Sequence, residues 1–201
     1  MSESLFDPAA QNGNLPNKIV AGLEKVSEAF KVLLWDKGKE LGLSPIQIQL
    51  LLFVAYHGPE FCTVSNLAKE FNVTKPTISD VVRVLLKKQL IQKDYSNSDS
   101  RSYVIFLTDS GEQMVEMTKD FANPIKKQLS RDAKVLQPLF HVLSRLMYGL
   151  SKDGVLGELR ICYGCRFYVE KKGSSYCNLL ERTLRTNDIR IDCKEYESQD
   201  Q

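Results

Sequence analysis

The sequence contains little of what several classes of protein require. With two histidines among 201 residues and no positioned nucleophile, it offers little for catalysis, so we do not expect an enzyme. The net charge is only +2, so a nucleic-acid surface would have to be a local patch. The longest nearly apolar run, Ile46–Tyr56, contains two glutamines and is too short to span a bilayer, which excludes a membrane partner.

The N-terminal stretch also lacks the marks of a secretory signal, because it contains neither a basic region nor an apolar core. We therefore expect a cytoplasmic protein, in which thiols stay reduced. Four of the five cysteines lie in the last forty residues. In a reducing compartment, such clustering favours metal binding over disulfides.

The rest of the chain shows a succession of helical patterns. Residues 1–14 have little to bury and are expected to form a flexible arm. Apolar residues at steps of three and four predict a long amphipathic helix over 15–41, which Gly42 should end. This helix is the first candidate for a dimerisation surface.

A second helix has a clear start signal in "SPIQ". Ser44 is the N-cap, Pro45 occupies the first helical position, and Gln47 completes a capping box. The helix should run to His57 and be central and buried, because it is apolar on most faces. Gly58-Pro59 should then end it.

The segment "TVSNLAKEFNVTKPTISDVVRVLLKKQLI" has the pattern of a helix-turn-helix. Thr63 can cap a short helix over Val64–Phe71, and Asn72 tolerates the left-handed backbone of a tight turn. Thr74 can cap the second helix. Small and apolar residues let the helices cross: Leu67, Ala68, Phe71, Val73, Ile78 and Val81. For this segment alone, an ordinary helical hairpin is the alternative.

Two β-rich runs follow, "LIQKDY" and "SYVIFLT", separated by the polar turn "SNSDSR". A helix-turn-helix followed directly by a hairpin is a winged helix. Thr108 can cap the next helix. One apolar stripe predicts a helix from Met114 to Leu129 and another predicts a helix from Val135 to Leu150, with Pro124 and Pro138 kinking or trimming them.

This order of elements resembles the MarR family of bacterial transcriptional regulators over roughly residues 15–152. The most specific stretches are "VTKPTISDVVRVLLKKQLI" and "DSRSYVIFLTDSG". The resemblance implies a mainly α, winged helix-turn-helix fold with a small β-hairpin wing. It also implies a homodimer built from residues 15–42 and 108–152, and a DNA-binding lobe over 44–107. Its partners would be a palindromic double-stranded DNA operator and a small, often aromatic, effector.

The resemblance places the start of the recognition helix at Thr74, and the N-terminal residues of such a helix reach base edges in the major groove. Arg101 at the wing tip is expected to enter the minor groove, with Asp99 holding its guanidinium or only rigidifying the turn. The candidate DNA-binding residues are Thr74, Lys75, Thr77, Ser79, Arg83, Lys87 and Arg101. For Lys87, a solvated charged face is the alternative.

Two residues depart from the family pattern. Asp80 stands where a basic or neutral residue is common, and Gln89 replaces the usual glycine at the end of the recognition helix. An acid that faces the groove repels phosphate but can accept a hydrogen bond from a cytosine amino group. The target sequence is therefore left open.

Residues 153–201 form a cysteine-rich tail with the pattern of a metal site. The C-x2-C spacing of Cys162 and Cys165 lets two thiolates reach one tetrahedral ion, with Gly164 relieving the backbone. Cys177 and Cys193 complete four ligands. Because the tail has too little core of its own, a metal would supply much of its folding energy. The stretch "NLLERTLR" between the last two cysteines is expected to be helical.

Zinc in a structural role is the first expectation for this site. An iron–sulfur cluster uses the same ligands and would make the tail a redox sensor, and a tail without metal is the third possibility. Three functions are thus in play: a regulator with a structural metal tail, a regulator whose tail senses metal or redox state, and a protein-interaction winged helix that does not bind DNA. Specific binding to a palindromic duplex separates the first two from the third.

Overall fold

The computed structural model describes residues 4–95, 103–129, 131–171 and 173–199, and it confirms the mainly α, winged-helix fold. The helices are α1 (Pro8–Gln11), α2 (Leu15–Leu41), α3 (Pro45–Tyr56), α4 (Val64–Glu70), α5 (Lys75–Lys87), α6 (Asp109–Thr118), α7 (Asn123–Gln128) and α8 (Ala133–Lys152). The strands are β1 (Ile91–Asp94), β2 (Val104–Leu107), β3 (Tyr168–Lys171), β4 (Ser174–Cys177) and β5 (Arg182–Leu184). They form two antiparallel sheets, β1-β2 and β3-β4-β5.

The chain divides into two compact units. The first contains the residues up to Val64 together with Ser79–Gln128, and the second contains Ser65–Ile78 together with the residues from Leu129 onward. None of the described helices combines the length and the apolar character needed to cross a membrane.

Local sequence signals account for the ends of α2 and the start of α3. Helix α2 has the bounds that its apolar period predicts, and Gly42 ends it with a φ of 67°. The Ser44 N–H donates to Gln47 Oε1 at 2.9 Å, which is one half of the expected capping box. Helix α3 stops one residue before His57, whose ring stacks on Phe53.

The helix-turn-helix forms where the sequence predicts it. Asn72 lies in the turn with a φ of 51°, and the Val73 N–H donates to the Ala68 carbonyl at 3.0 Å. Thr74 Oγ1 accepts from the Thr77 N–H at 3.3 Å and so caps α5. These contacts set the tight connection between α4 and α5.

The two strands of the wing pair from Ile91 opposite Leu107 to Asp94 opposite Val104. The Ile105 N–H donates to the carbonyl of Cys62 at 2.9 Å, which ties β2 to the segment before α4. The wing tip, with the candidate residues Asp99 and Arg101, lies outside the described residues.

The arm over residues 1–14, whose flexibility stays a prediction, contains one helical turn, α1, because Asp7 Oδ1 accepts from the Ala9 N–H at 2.9 Å and Pro8 suits the first helical position. One expectation for the first unit is wrong. The expected helix over Met114–Leu129 is interrupted, since α6 stops at Thr118 and α7 begins only at Asn123. Proline cannot donate within a helix, so Pro124 is accommodated in the first turn of a new one.

The second unit includes α8 and a small sheet with its own buried cluster. Helix α8 runs through Pro138 without a break, and Ser144 Oγ lies 3.2 Å from Tyr163 Oη. The cluster consists of Ile161, Cys162, Tyr163, Cys165, Tyr168, Leu184 and Ile189, with Phe140 and Tyr148 packed against it.

The expected helix in "NLLERTLR" is also wrong. This stretch ends in β5, where Leu184 pairs with Ser175 and is buried. Glu181 precedes the strand with a φ of 51°, so the chain turns there. Pairing with β4 outweighs the helical period of a short segment.

The end of the tail folds back onto the C-x2-C turn. The Arg166 N–H donates to the Glu197 carbonyl at 2.8 Å, and Gln199 Nε2 donates to the Cys165 carbonyl at 3.0 Å. Gly164 does not have a positive φ. Its requirement is space, because a Cβ there would lie 3.1 Å from the hydroxyl oxygen of Tyr196.

Candidate nucleic-acid interface and candidate metal centre

Helix α5 has one buried and one exposed side. Its apolar residues Ile78, Val81, Val82 and Leu85 are buried. The candidate DNA-binding residues that the structure describes, Thr74, Lys75, Thr77, Ser79, Arg83 and Lys87, are all exposed. The structure therefore presents together, on one helix and the residue that caps it, six of the seven candidates; Arg101 lies outside the described part of the chain.

Asp80 pairs with Arg83 on the exposed side of α5. Both side chains are well exposed, so the pair itself adds little stability. Its effect is on charge and geometry: the carboxylate offsets one of the few cations on α5 and orients its guanidinium. The sequence showed that Asp80 departs from the family pattern, but it did not show that Asp80 pairs with Arg83. The spacing of three residues between them could have indicated this pair.

In addition to Arg83 on α5, a lysine at the base of the wing is a candidate cation for DNA. Lys93 Nζ lies 3.9 Å from the centroid of the Tyr103 ring, and Tyr95 packs against the same ring at 5.5 Å. A cation over an aromatic face is held in place while its charge stays near the surface. Sequence analysis did not single out Lys93.

The four cysteines of the tail line a single cavity of about 30 Å³. That is close to the volume of one water molecule in the liquid. Apolar side chains complete the wall, including Phe167, Leu180 and Leu184. The structure thus brings Cys162, Cys165, Cys177 and Cys193 to one small, mostly apolar site, and all four are free thiols.

Arg190 donates to two of these sulfurs. Its N–H lies 3.2 Å from Cys162 Sγ, and its Nη1 lies 3.5 Å from Cys193 Sγ. The same Nη1 is 2.6 Å from Glu195 Oε2. Burial raises the pKa of Cys162 and of Cys193, while the donated hydrogen bonds act in the opposite direction. Donors aimed at sulfur stabilise thiolate and orient it, as outer partners do around metal ligands.

The four thiols are not close enough to one another to bind a common metal ion as they are positioned in the structure. Over residues 4–95, 103–129, 131–171 and 173–199, no three Cys, His, Asp or Glu side chains are close enough to hold a metal ion. A metal would therefore require the cysteine side chains to turn further into the cavity that they line.

Arg160 is a residue that sequence analysis missed. Its Nε donates to Asp192 Oδ1 at 2.7 Å, and its Nη1 donates to Glu70 Oε2 at 3.0 Å. Burial lowers the pKa of Arg160, but the two carboxylates outweigh it and the net shift is upward. No local pattern pointed to this contact, because Glu70 lies 90 residues away in the sequence.

The remaining cysteine, Cys62, behaves differently from the tail thiols. It is 2% exposed, and burial, helped by the charge of Glu60, raises its pKa to about 11. Its Sγ lies 3.4 Å from the Gly58 carbonyl oxygen. Cys62 is therefore a packed, protonated residue.

A groove of about 780 Å³ opens in the first unit. Residues of α2, the first turns of α3 and Phe121 line it, and most are apolar. Among them are Leu23, Phe30 and Trp35, each more than a third exposed. Size and lining are typical of a small-molecule site.

Comparison with known proteins gives a consistent result. Residues 41–102 match the sequence model of the MarR family. The organic hydroperoxide resistance transcriptional regulator of Bacillus subtilis strain 168 is 26% identical over 149 residues, which is 73% of this chain and 97% of that protein.

Two solved structures are similar in fold. MepR of S. aureus in complex with DNA has a TM-score of 0.54 and 24% identity, covering 64% of this chain and 94% of its own. Staphylococcus aureus MarR in complex with salicylate and kanamycin has a TM-score of 0.59 and 18% identity, covering 72% of this chain and 97% of its own.

Proposed function

We propose that this chain, whose residues 41–102 match the sequence model of the MarR family, is a transcriptional regulator of that family and binds a palindromic DNA operator as a homodimer. The observation that carries the proposal is the division of α5 into a buried apolar side and an exposed side with the candidate contacts. In helix-turn-helix proteins the second helix enters the major groove. A cytoplasmic location is part of this proposal, because a regulator of this kind acts on DNA in the cytoplasm.

Lys75 and Thr77 are the side chains best placed to read bases, because they lie in the first turn of α5 and are exposed. Lysine can donate to guanine O6 and N7, and threonine offers a hydroxyl and a methyl that suit thymine. Arg83, oriented by Asp80, and Lys87 lie further along the helix and are assigned to the backbone or an adjacent base. Arg101 keeps its assignment to the minor groove.

The second copy is inferred from two apolar faces. Outside the groove, helix α2 exposes Leu15, Ile19, Val20 and Val32, and α8 exposes Val135, Leu139, Val142, Leu143 and Leu146. Apolar patches of this extent on long helices are typical of protein–protein interfaces. We assign both faces to a homodimer, which would also present two copies of α5 to the two half-sites of a palindrome.

The tail is proposed to hold one structural zinc ion through Cys162, Cys165, Cys177 and Cys193. The shared cavity, the apolar wall and the hydrogen bonds from Arg190 support this ligand set. Four thiolates close a tetrahedral site and leave no position for chemistry. An iron–sulfur cluster is the competing occupant, because it takes the same ligands.

Selection of DNA from a random pool tests the central proposal. We expect a palindromic sequence, bound less tightly as salt rises, because each neutralised phosphate releases counterions. Thr77→Val should change base preference at one position per half-site by ~1–3 kcal/mol, and Arg101→Ala should weaken binding broadly. Lys126→Ala, an exposed cation on α7, is the control. Absence of any selected sequence would favour the protein-interaction alternative.

Sedimentation at micromolar concentration tests the homodimer. Val142→Glu places a charge on the apolar face of α8 and should shift the protein to monomer, whereas Gln137→Glu, an exposed polar position on the same helix, should not. A stable wild-type monomer would contradict the assignment of both faces.

Metal analysis of anaerobically purified protein tests the tail. A colourless sample with one zinc per chain supports the structural site. A brown sample with iron and sulfide makes the tail a redox sensor instead, and protein without metal but with an ordered tail removes both assignments.

We assign a small-molecule effector to the groove lined by Phe30, Trp35 and Phe121. The salicylate complex of the S. aureus relative makes a small aromatic acid the first probe. Binding should be lost in Trp35→Ala, which removes a large apolar wall. Lys37→Ala, on the same helix but not in the lining, is the control.

A further inference from the structure

Arg160 joins the loop that carries Asp192 and Cys193 (the Cys193 loop) to the helix-turn-helix through three contacts. Its carbonyl oxygen accepts from the Cys193 N–H at 2.9 Å, and its Nε donates to Asp192 at 2.7 Å. Its Nη1 donates to Glu70, the last residue of α4, at 3.0 Å. The Arg160 side chain is only 15% exposed, so this cation lies largely enclosed between the two carboxylates.

A second contact lies beside the first. A Cβ on Gly157 would come within 2.9 Å of the Lys69 carbonyl oxygen, so the chain that leads into the tail passes closely along the end of α4. The Gly157 carbonyl in turn accepts from Ser151 Oγ of α8 at 2.8 Å. The tail thus approaches the end of α4 at Lys69 and forms an ion pair with it at Glu70.

Helix α4 needs such support because it is short. It has seven residues, and helices of that length are marginal without packing. Its last carbonyls also form the turn: Leu67, Ala68 and Lys69 accept from the amides of Phe71, Val73 and Asn72. The end of α4 therefore sets the path of the chain into α5.

The pair between Arg160 and Asp192 depends on the position of the Cys193 loop. Asp192 is 42% exposed, and water around one partner weakens an ion pair of this kind. The neighbouring Cys193 would be fixed by a metal, and Asp192 would be fixed with it. Arginine suits this position because its rigid fork can hold two carboxylates at once.

We propose that Arg160 couples the four-thiol site to the helix-turn-helix, so that zinc at the site raises the affinity for DNA. The inference rests on the zinc site proposed above. Zinc fixes the Cys193 loop, Asp192 then holds the Arg160 guanidinium, and Arg160 holds the end of α4 in the geometry that presents α5. Without zinc the loop is released and the turn loses this anchor. The tail is in this way a zinc-responsive part of the regulator.

The first measurement is the affinity of the full-length protein for its selected duplex, with zinc bound and after chelation under reducing conditions. Wild type should bind about tenfold more tightly with zinc, a coupling of ordinary size between two sites. In Arg160→Ala and Glu70→Ala, the ratio of the two affinities should fall to about one, while zinc content stays at one per chain. The ratio is the readout because each variant also changes the charge near DNA.

Arg166→Ala is the matched control. Arg166 is an arginine of the same tail, paired with Glu197 at 2.8 Å, and its side chain is 56% exposed. It should keep the wild-type ratio. A ratio of one in wild type, or a tenfold ratio retained in Arg160→Ala, would overturn the coupling.

Hydrogen exchange gives a second readout that needs no DNA. The amides of Phe71, Asn72 and Val73 should exchange faster in wild type after zinc removal, and equally fast with and without zinc in Arg160→Ala. Unchanged exchange in wild type contradicts the inference even if the protein binds its operator. Zinc-dependent exchange in a protein that selects no DNA supports the coupling and removes the proposed operator instead.

Discussion

The two compact units bury different kinds of side chain. The first has an aliphatic core in which Ile48, Leu50, Leu51, Leu85 and Ile105 are at most 1% exposed. In the second, the buried cluster of the tail has two cysteines and two tyrosines beside three aliphatic residues. Aliphatic burial stabilises at about 25 cal/mol per Å² without any further partner. The tail instead places polar atoms inside, so its stability depends on what they bind.

This comparison predicts that loss of the thiols breaks the tail and spares the first unit. Cys162→Ser with Cys165→Ser removes two ligands, and structural zinc supplies about 10–16 kcal/mol of apparent binding energy in small zinc domains. Limited proteolysis with mass spectrometry should show cleavage within residues 153–199 and protection of α2, α3 and α6. Cys62→Ala should leave the tail protected. A double variant as resistant as wild type would show that the tail folds without a metal.

The converse test is Gly111→Ala, which should destabilise the first unit and leave the tail unaffected. A Cβ at Gly111 would lie 2.0 Å from the Leu90 carbonyl oxygen, and backbone cannot move aside as a side chain does. We expect a loss of about 3 kcal/mol in the free energy of unfolding, measured with denaturant. Ser110→Ala, at the exposed neighbouring position, should change little. DNA binding should fall with Gly111→Ala while zinc content stays unchanged.

A smaller effect is expected from Cys62, which should make the stability of the first unit depend on pH. Its folded-state pKa of about 11 is above the ordinary value of 9.0, so the folded protein keeps the proton longer than the unfolded chain. Stability should therefore be lost as pH rises from 9 towards 11, by about 2 kcal/mol. The measurement is the difference between wild type and Cys62→Ala in denaturant midpoints across this range. Parallel pH profiles would show that the Cys62 thiol does not carry the effect.

The smallest expected effect is a gain. Gln89 ends α5 with a φ of 57°, and the Leu90 N–H donates to the Leu85 carbonyl, which closes a Schellman-type helix end. A non-glycine residue in this conformation costs about 1 kcal/mol, so Gln89→Gly should stabilise the first unit by about that amount. Lys88→Gly, one residue earlier where φ is not positive, should destabilise instead. Equal effects of the two glycines would contradict this account.

What the sequence predicted well depends on residues within four positions of one another. Gly42 at the end of α2, Asn72 in the turn and Thr108 before α6 each act on their own backbone neighbours. What it predicted wrongly depends on distant partners. The stretch that ends at Leu184 has a helical period, but its pairing with β4 decides its structure. Spacing grouped four cysteines, and they line one cavity in the structure; their role as metal ligands stays a prediction.

Arg160 is the clearest case of a residue beyond reach of the sequence. Its partners lie 32 and 90 positions away, so no periodic pattern connects them. An isolated arginine in a charged tail looks like any solvated side chain. Only the folded chain shows that it is enclosed and shared between two carboxylates.

The return of residues 197–199 over the C-x2-C turn has a consequence for the order of biosynthesis. A ribosome makes the winged helix first, and domains generally fold as they are completed. Cys193, the last ligand, and Gln199, which donates to the Cys165 carbonyl, are translated long after α5. A nascent or prematurely terminated chain thus contains the whole helix-turn-helix segment but an unfinished thiol site. If Arg160 couples the two, full affinity for DNA belongs only to chains whose translation has passed the tail, and incomplete products compete poorly for the operator.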